Sequence, residues 1–130
     1  EELASVPGSK RYIVIGEGAI LESAATAAGP KYTDIPGKGE LATFSTEDKS
    51  FECHIYLERI GWAKLVQGTS KATGNPTHSI RLTAPDETPL LTVVVDADGV
   101  SAWQGMKDKY GETALIEAEV GDALFSFSDA

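Results

Sequence analysis

The chain has 130 residues, of which 42% are hydrophobic and 24% are charged, a composition typical of one soluble globular domain rather than of a disordered or fibrous chain. Its 20 acidic residues outnumber its 11 Lys and Arg residues, and the net charge of −9 disfavours binding to nucleic acids or anionic membranes. The longest apolar run, Leu90 to Val95, is interrupted by Thr92 and is too short to span a bilayer. We expect one domain over residues 1–130, with residues 1–9 as a flexible N-terminal stretch.

The first third of the chain contains two predicted strands and one ambiguous segment. Arg11 to Ile15 is rich in β-branched and aromatic residues, which favours a strand. Glu17 to Ala28 is rich in alanine and is followed by Gly-Pro, which favours a helix on propensity alone. The three glycines and two prolines of Gly29 to Gly39 predict a long loop, and Leu41 to Phe44 a short strand.

The middle of the chain shows clearer strand patterns. In Phe51 to Leu57 the apolar residues alternate with Glu52, His54 and Tyr56, which predicts a strand with one buried face. Ile60 to Val66 follows after only two residues, so we expect these two strands to form a hairpin. The polar segment GTSKATGNP, residues 68–76, predicts a loop.

The last half predicts a pair of strands, a helix and a final pair of strands. His78 to Thr83 and Leu90 to Val95 are the first pair, and the second of them is apolar on both faces, so it belongs in the centre of a sheet. A helix capped by Asp98 and stopped by Gly111 would place Val100, Trp103, Met106 and Tyr110 on one face. The final strands are predicted at residues 113–120 and 123–127, around Gly-Asp. The sum is an α+β fold, an antiparallel β-sheet of about seven to nine strands with one late helix packed on it.

Few residues of the sequence suggest catalysis. Cys53 is the only cysteine and lies on the apolar side of its strand, so we expect a buried thiol and a reducing compartment. The N-terminal residues lack the features of a signal peptide, which favours the cytoplasm or an organelle stroma. His54 and His78 are the only histidines and share no metal-ligand spacing. Strand parity places His78 on an apolar face and His54 on a polar one, where either a structural or a ligand-binding role remains open.

Three segments resemble, in order and spacing, haem-utilisation proteins of the HemS/ChuX type. The first joins FECHIYL to IGWA at residues 51–63, the second is HSIRL followed by APDETPLL at residues 78–91, and the third is AWQGMKDKY at residues 102–110. The similarity covers about four-fifths of the chain. It implies an antiparallel sheet with a late helix, a strand rather than a helix at Glu17 to Ser23, and a single-copy unit that pairs as a homodimer.

The resemblance also implies a haem or tetrapyrrole ligand, held by a carrier or a haem-utilisation relative. Leu21 stands where the family has its iron-ligating histidine, so the expected iron contacts are His78, as the metal ligand, together with His54 and Tyr56. Arg81 and Arg59 are expected near the haem propionates, because partly buried carboxylates need cations.

Two other functions remain open at this point. One is a non-enzymatic interaction or assembly domain that has kept the fold and lost the haem site. The other is an enzyme that acts on a different small molecule in the same cleft.

Overall fold

A computed structural model describes residues 2–118 and 125–129 of the chain. These residues form strands in two antiparallel sheets, with a short N-terminal helix and one longer late helix. The elements are α1 Glu2–Ser5, β1 Lys10–Ile15, β2 Ile20–Ala25, β3 Ala28–Ile35, β4 Gly39–Ser45, β5 Glu52–Tyr56, β6 Trp62–Thr69, β7 Pro76–Thr83, β8 Pro89–Val95, α2 Val100–Tyr110, β9 Thr113–Ala118 and β10 Phe125–Asp129. No helix among the described residues is long and apolar enough to cross a membrane.

The larger sheet has seven strands in the order β10-β9-β6-β7-β8-β1-β2, and the smaller one has three in the order β3-β4-β5. The α+β class and the antiparallel pairing are as predicted, but the strands divide into two sheets instead of forming one. The apolar strand β8 lies between β7 and β1, which confirms its predicted central position. Leu91, Val93 and Val95 on its inner face are buried, whereas the residues on its other face are only half-buried.

The core lies between the two sheets and under α2. Tyr12 of the large sheet packs against Phe44 and Phe51 of the small-sheet layer, with ring centroids 6.2 and 4.8 Å apart. At one end of this layer α2 inserts Trp103, which is 0% exposed and donates from Nε1 to the backbone oxygen of Ser79 at 2.9 Å. The large sheet therefore has an inner face that carries the core and an outer face that the small sheet leaves open.

The segment after β1 is a strand and not a helix. β2 pairs with β1 in register, with Val14 opposite Leu21, and the chain reverses through a turn in which Gly16 donates to the Ala19 oxygen at 2.9 Å. The helix predicted from alanine content is wrong, because pairing with the sheet overrides a weak propensity. The strand implied by the resemblance is confirmed, although it covers residues 20–25 rather than 17–23.

The long loop predicted at residues 29–39 is also wrong, since β3 occupies most of it. β3 is an edge strand, and its register with β4 shifts between Ala28 and Lys31. Pro30 falls within this irregularity, where a missing backbone donor is tolerated. Only residues 36–38 form the turn, closed by a bond from the Lys38 nitrogen to the Ile35 oxygen at 2.9 Å.

The hairpin predicted between β5 and β6 does not form, because the two strands belong to different sheets. Leu57–Arg59 instead makes a 3₁₀ turn, with the Leu57 side chain buried, that carries the chain from one sheet to the other. The Glu-Arg pair offers none of the residues that tolerate a positive φ, which a tight hairpin turn requires.

The late helix forms as predicted, and Trp103 and Met106 of its apolar face are buried. Its expected cap at Asp98 is wrong: Asp96 accepts from the Asp98 nitrogen at 3.1 Å and caps a 3₁₀ turn that leads into the helix. Gly111 ends the helix with a φ of 83°, a conformation that favours glycine.

The described residues at both ends of the chain contact the rest of the fold. The N-terminal stretch, expected to be flexible, contains α1 and the buried Val6, whose backbone oxygen accepts from Lys10 Nζ at 2.7 Å. The final strands are confirmed as the pair β9–β10, with β9 also paired to β6. The turn predicted at residues 121–122 lies outside the described residues.

Candidate ligand-binding cleft

The residues predicted to contact haem lie in several separate places. His78 is on the inner face of β7, half-buried, with its ring edge-on to Trp103 at a centroid distance of 4.8 Å. Arg81 is three residues further along the same strand, so it points to the outer face and away from His78. Arg59 is exposed on the turn between the two sheets.

His54 and Tyr56 share the outward face of β5 in the small sheet. His54 Nδ1 lies 2.7 Å from Thr43 Oγ1, and its Nε2 lies 3.7 Å from a Glu52 carboxylate oxygen. The structure brings His54 near Leu21, because both line a groove of about 120 Å³ between β5 and the β1–β2 hairpin. His54 therefore lies in the same groove as Leu21, the position at which the resemblance expects an iron-ligating histidine. The groove is much smaller than a tetrapyrrole.

Two buried side chains that line this groove, Tyr12 and Cys53, have raised pKa values. Burial raises the pKa of Tyr12 to about 12, and the Tyr12 hydroxyl has no hydrogen-bond partner among the described residues. Burial also raises the pKa of the Cys53 thiol. Cys53 is 6% exposed, as predicted, and a buried thiol with a raised pKa is a poor nucleophile.

The interior offers no room for a macrocycle. The cavity between the two sheets measures about 70 Å³ and has apolar walls, whereas sites for drug-sized ligands measure about 300–1,000 Å³. Within the part of the chain that the structure describes, no group of three or more His, Cys, Asp or Glu residues could hold a metal ion. A ligand of tetrapyrrole size has to bind at the surface.

The outer face of the large sheet carries a cleft of about 390 Å³, which is in the size range of small-molecule sites. One row of residues crosses four strands along it, since Lys64 pairs with Arg81, Arg81 with Thr92, and Thr92 with Ile13. Ile15 lines the cleft beyond this row. The cleft therefore has cations at one side and an apolar surface at the other.

The polar groups of the cleft differ in how well they are satisfied. Arg81 is exposed and forms no ion pair with any other residue that the structure describes. Thr83 lines the cleft, is 5% exposed, and its hydroxyl has no hydrogen-bond partner in the described part of the chain. A buried hydroxyl without a partner costs about 1–3 kcal/mol. The exposed Arg81 guanidinium can therefore donate to a further polar partner, whereas the Thr83 hydroxyl oxygen is shielded from solvent.

Lys64 is the one cationic side chain of the cleft with an anionic neighbour among the described residues. Its Nζ contacts Glu87 Oε1, and the side chains of Lys64 and Glu87 are 31% and 64% exposed. Glu87 belongs to the turn between β7 and β8, which packs closely on Gly61: a Cβ at Gly61 would meet the Pro85 Cα at 2.5 Å. The base of the turn is thus fixed, while the Glu87 side chain extends into solvent.

Sequence reasoning found only Arg81 among these residues. The alternation of β6 and β7 would have placed Lys64 on one face of its strand and Arg81 and Thr83 on one face of theirs. That the three residues share the outer face depends on which strands pair and in which register, and neither is encoded locally.

No protein-family model matches this chain, and no curated protein matches it either.

Proposed function

We propose that this chain is a non-enzymatic binding protein for a flat apolar ligand that carries carboxylates, and that the ligand is haem or a related tetrapyrrole. The observation that carries the proposal is the outer cleft, where the exposed guanidinium of Arg81 lies beside an apolar surface formed by Ile13 and Ile15. The tetrapyrrole class comes from the family resemblance, and the cleft supports it by its chemistry.

The cleft matches the two parts of such a ligand. The macrocycle buries apolar area against the isoleucines, which is favourable in proportion to the area removed from water. A carboxylate can form a bidentate pair with the Arg81 guanidinium, and charge-assisted pairs of this kind are among the strongest hydrogen bonds in proteins. This local cation also offsets the repulsion that the net charge of −9 imposes on an anionic ligand.

The proposal does not depend on iron. None of the described residues that line the cleft is His, Cys, Met or Tyr, the side chains that ligate haem iron. We therefore expect an iron-free porphyrin to bind about as tightly as haem. A role for His78 or His54 as an iron ligand remains a separate prediction from the sequence, and it requires haem to bind more tightly than the iron-free ring.

The test is a titration of the purified chain with haemin and with protoporphyrin IX, followed at the Soret band. We expect saturable binding of one ligand per chain for both compounds. Arg81→Gln should weaken both by about tenfold, the value of one good charge-assisted pair. Arg59→Gln removes the same side chain from the turn between the sheets and should have a much smaller effect. His78→Ala and His54→Ala are tested alongside.

Each other outcome has a definite meaning. Binding of haemin alone, lost in one histidine variant, would contradict the cleft and favour iron ligation. Absence of saturable binding would overturn the tetrapyrrole proposal and leave the interaction domain as the second candidate.

One observation favours an interaction domain: Val14, Ile20 and Leu21 are large exposed hydrophobic residues on the β1–β2 hairpin at the sheet edge. Light scattering over a range of concentrations would then test the homodimer implied by the resemblance.

A further inference from the structure

The Lys64–Glu87 pair separates two hollows on the outer face. On one side is the cleft of about 390 Å³ that contains Arg81. On the other is a hollow of about 370 Å³, lined by Trp62, Pro85 and Thr113. Lys64 and Glu87 line both hollows, so their ion pair lies between the two hollows; we call this pair the partition.

The sequence places charges here that the fold alone does not favour. Lys64 and Arg81 are direct cross-strand neighbours on the same face, and like charges in that position destabilise a sheet. Glu87 has a φ of 70°, a left-handed conformation that is unfavourable for a residue other than glycine or asparagine. Two opposed cations and a carboxylate on a turn with a positive φ therefore lie together at one place on the sheet.

From this arrangement we infer that the cleft recognises a ligand with two carboxylates, one held by Arg81 and the other by Lys64 after it displaces Glu87. The inference rests on the proposed function and narrows its ligand class. Displacement exchanges one carboxylate for another at the Lys64 ammonium group, so Lys64 keeps one ion pair while Arg81 gains one. The Glu87 side chain is largely exposed and can rotate into water, where surface ion pairs contribute little.

Removal of the partition joins the two hollows into one continuous surface. A flat ligand that is too large for either hollow can then extend from Ile13 across Lys64 to Trp62. Trp62 is half-buried, and its Nε1 donates to the Pro85 oxygen at 3.3 Å, which holds the indole at the edge of the hollow. An aromatic side chain at that position can stack against a macrocycle.

The test compares protoporphyrin IX, which has two carboxylates, with its monomethyl ester, which has one. We expect the wild-type chain to bind the diacid about tenfold more tightly than the monoester, and Lys64→Gln to remove this preference. Glu87→Gln frees Lys64 and should strengthen binding of the diacid several-fold. Glu112→Gln is the matched control, because Glu112 also pairs with a lysine, Lys107 at 3.5 Å, but lines neither hollow.

The possible failures are distinguishable. Equal affinity for diacid and monoester, or a Glu87→Gln variant that behaves like Glu112→Gln, would overturn the two-carboxylate inference and leave the tetrapyrrole proposal standing. Absence of binding of either porphyrin to the wild-type chain and to Glu87→Gln would overturn both. The difference in tryptophan fluorescence between wild type and Trp62→Phe reports Trp62 separately from Trp103, and the absence of quenching of that difference signal by bound porphyrin would contradict the joined surface.

Discussion

Replacement of Trp103 by phenylalanine tests how the core is held together. Trp103 is fully buried, donates to the Ser79 backbone oxygen at 2.9 Å, and contacts the His78 ring. The variant loses one buried hydrogen bond, a cost of about 1 kcal/mol. The smaller ring also leaves a space under α2, which costs about 1–2 kcal/mol more. We expect Trp103→Phe to lower the free energy of unfolding by about 2–3 kcal/mol.

The chain provides its own matched control in Trp62. This indole also donates to a backbone oxygen, that of Pro85, but at 3.3 Å and from a half-buried position on the outer face. Trp62→Phe is the same chemical change in a solvated setting, where substitutions rarely cost more than about 0.5 kcal/mol. Urea unfolding monitored by circular dichroism measures both variants, and an unchanged m-value would show that the effect is on stability itself.

The comparison of the two variants decides the outcome. A midpoint shift of about 1 M urea for Trp103→Phe and almost none for Trp62→Phe would confirm that α2 is anchored to β7 through the indole. Equal losses would refute the assignment of inner and outer faces, on which the position of the cleft depends. A Trp103→Phe variant as stable as wild type would show that the helix is held by its other contacts.

Two further predictions concern ionisable groups. The buried Tyr12 hydroxyl lacks a described partner, so Tyr12→Phe should be neutral or stabilising by up to about 1 kcal/mol. Because the folded-state pKa of Tyr12 is about 12 and its ordinary value is 10.0, wild-type stability should fall between about pH 10 and 12, and urea unfolding should show a smaller fall in the variant. At the other end of the pH range, hydrogen bonds from Tyr110 and Lys109 lower the pKa of Glu2 from 4.5. The stability that Glu2 contributes is therefore present above pH 4.5 and is lost as the pH falls further. Thermal melts should show that Glu2→Gln loses less than about 1 kcal/mol of stability at pH 7 and that the difference from wild type disappears in acid. A loss of stability that persists in acid would contradict the ion pair.

Where local pattern and tertiary environment agree, the sequence predicts the fold well. The alternation of β5 places Cys53 inside and His54 outside, as observed, and the largely apolar β8 is central. Where a segment becomes a strand only because it pairs with a neighbouring strand, its own composition predicts the wrong secondary structure. β2 is rich in alanine and β3 contains proline and glycine, yet both become strands because neighbouring strands offer them a ladder.

The candidate site was less accessible to sequence reasoning than the fold. Arg81 follows from the sequence only through the family resemblance, which implies arginines near the haem propionates. Its partners were not identified, because Lys64 is 17 positions away in sequence and meets Arg81 only through the β6–β7 register. A slip of one residue in that register would move Lys64 to the core face, so no local pattern could have fixed the pair.

The outer face is where the choice of residues is least constrained by folding. On the inner face, size and apolarity are required by the core between the two sheets. An exposed face needs only to avoid aggregation, and in a chain of net charge −9 the simplest solution is more carboxylates. Instead this face opposes Lys64 to Arg81 and leaves Arg81 without an ion-pair partner among the described residues. The anionic ligand that we propose would place carboxylates beside both cations and would so offset their mutual repulsion.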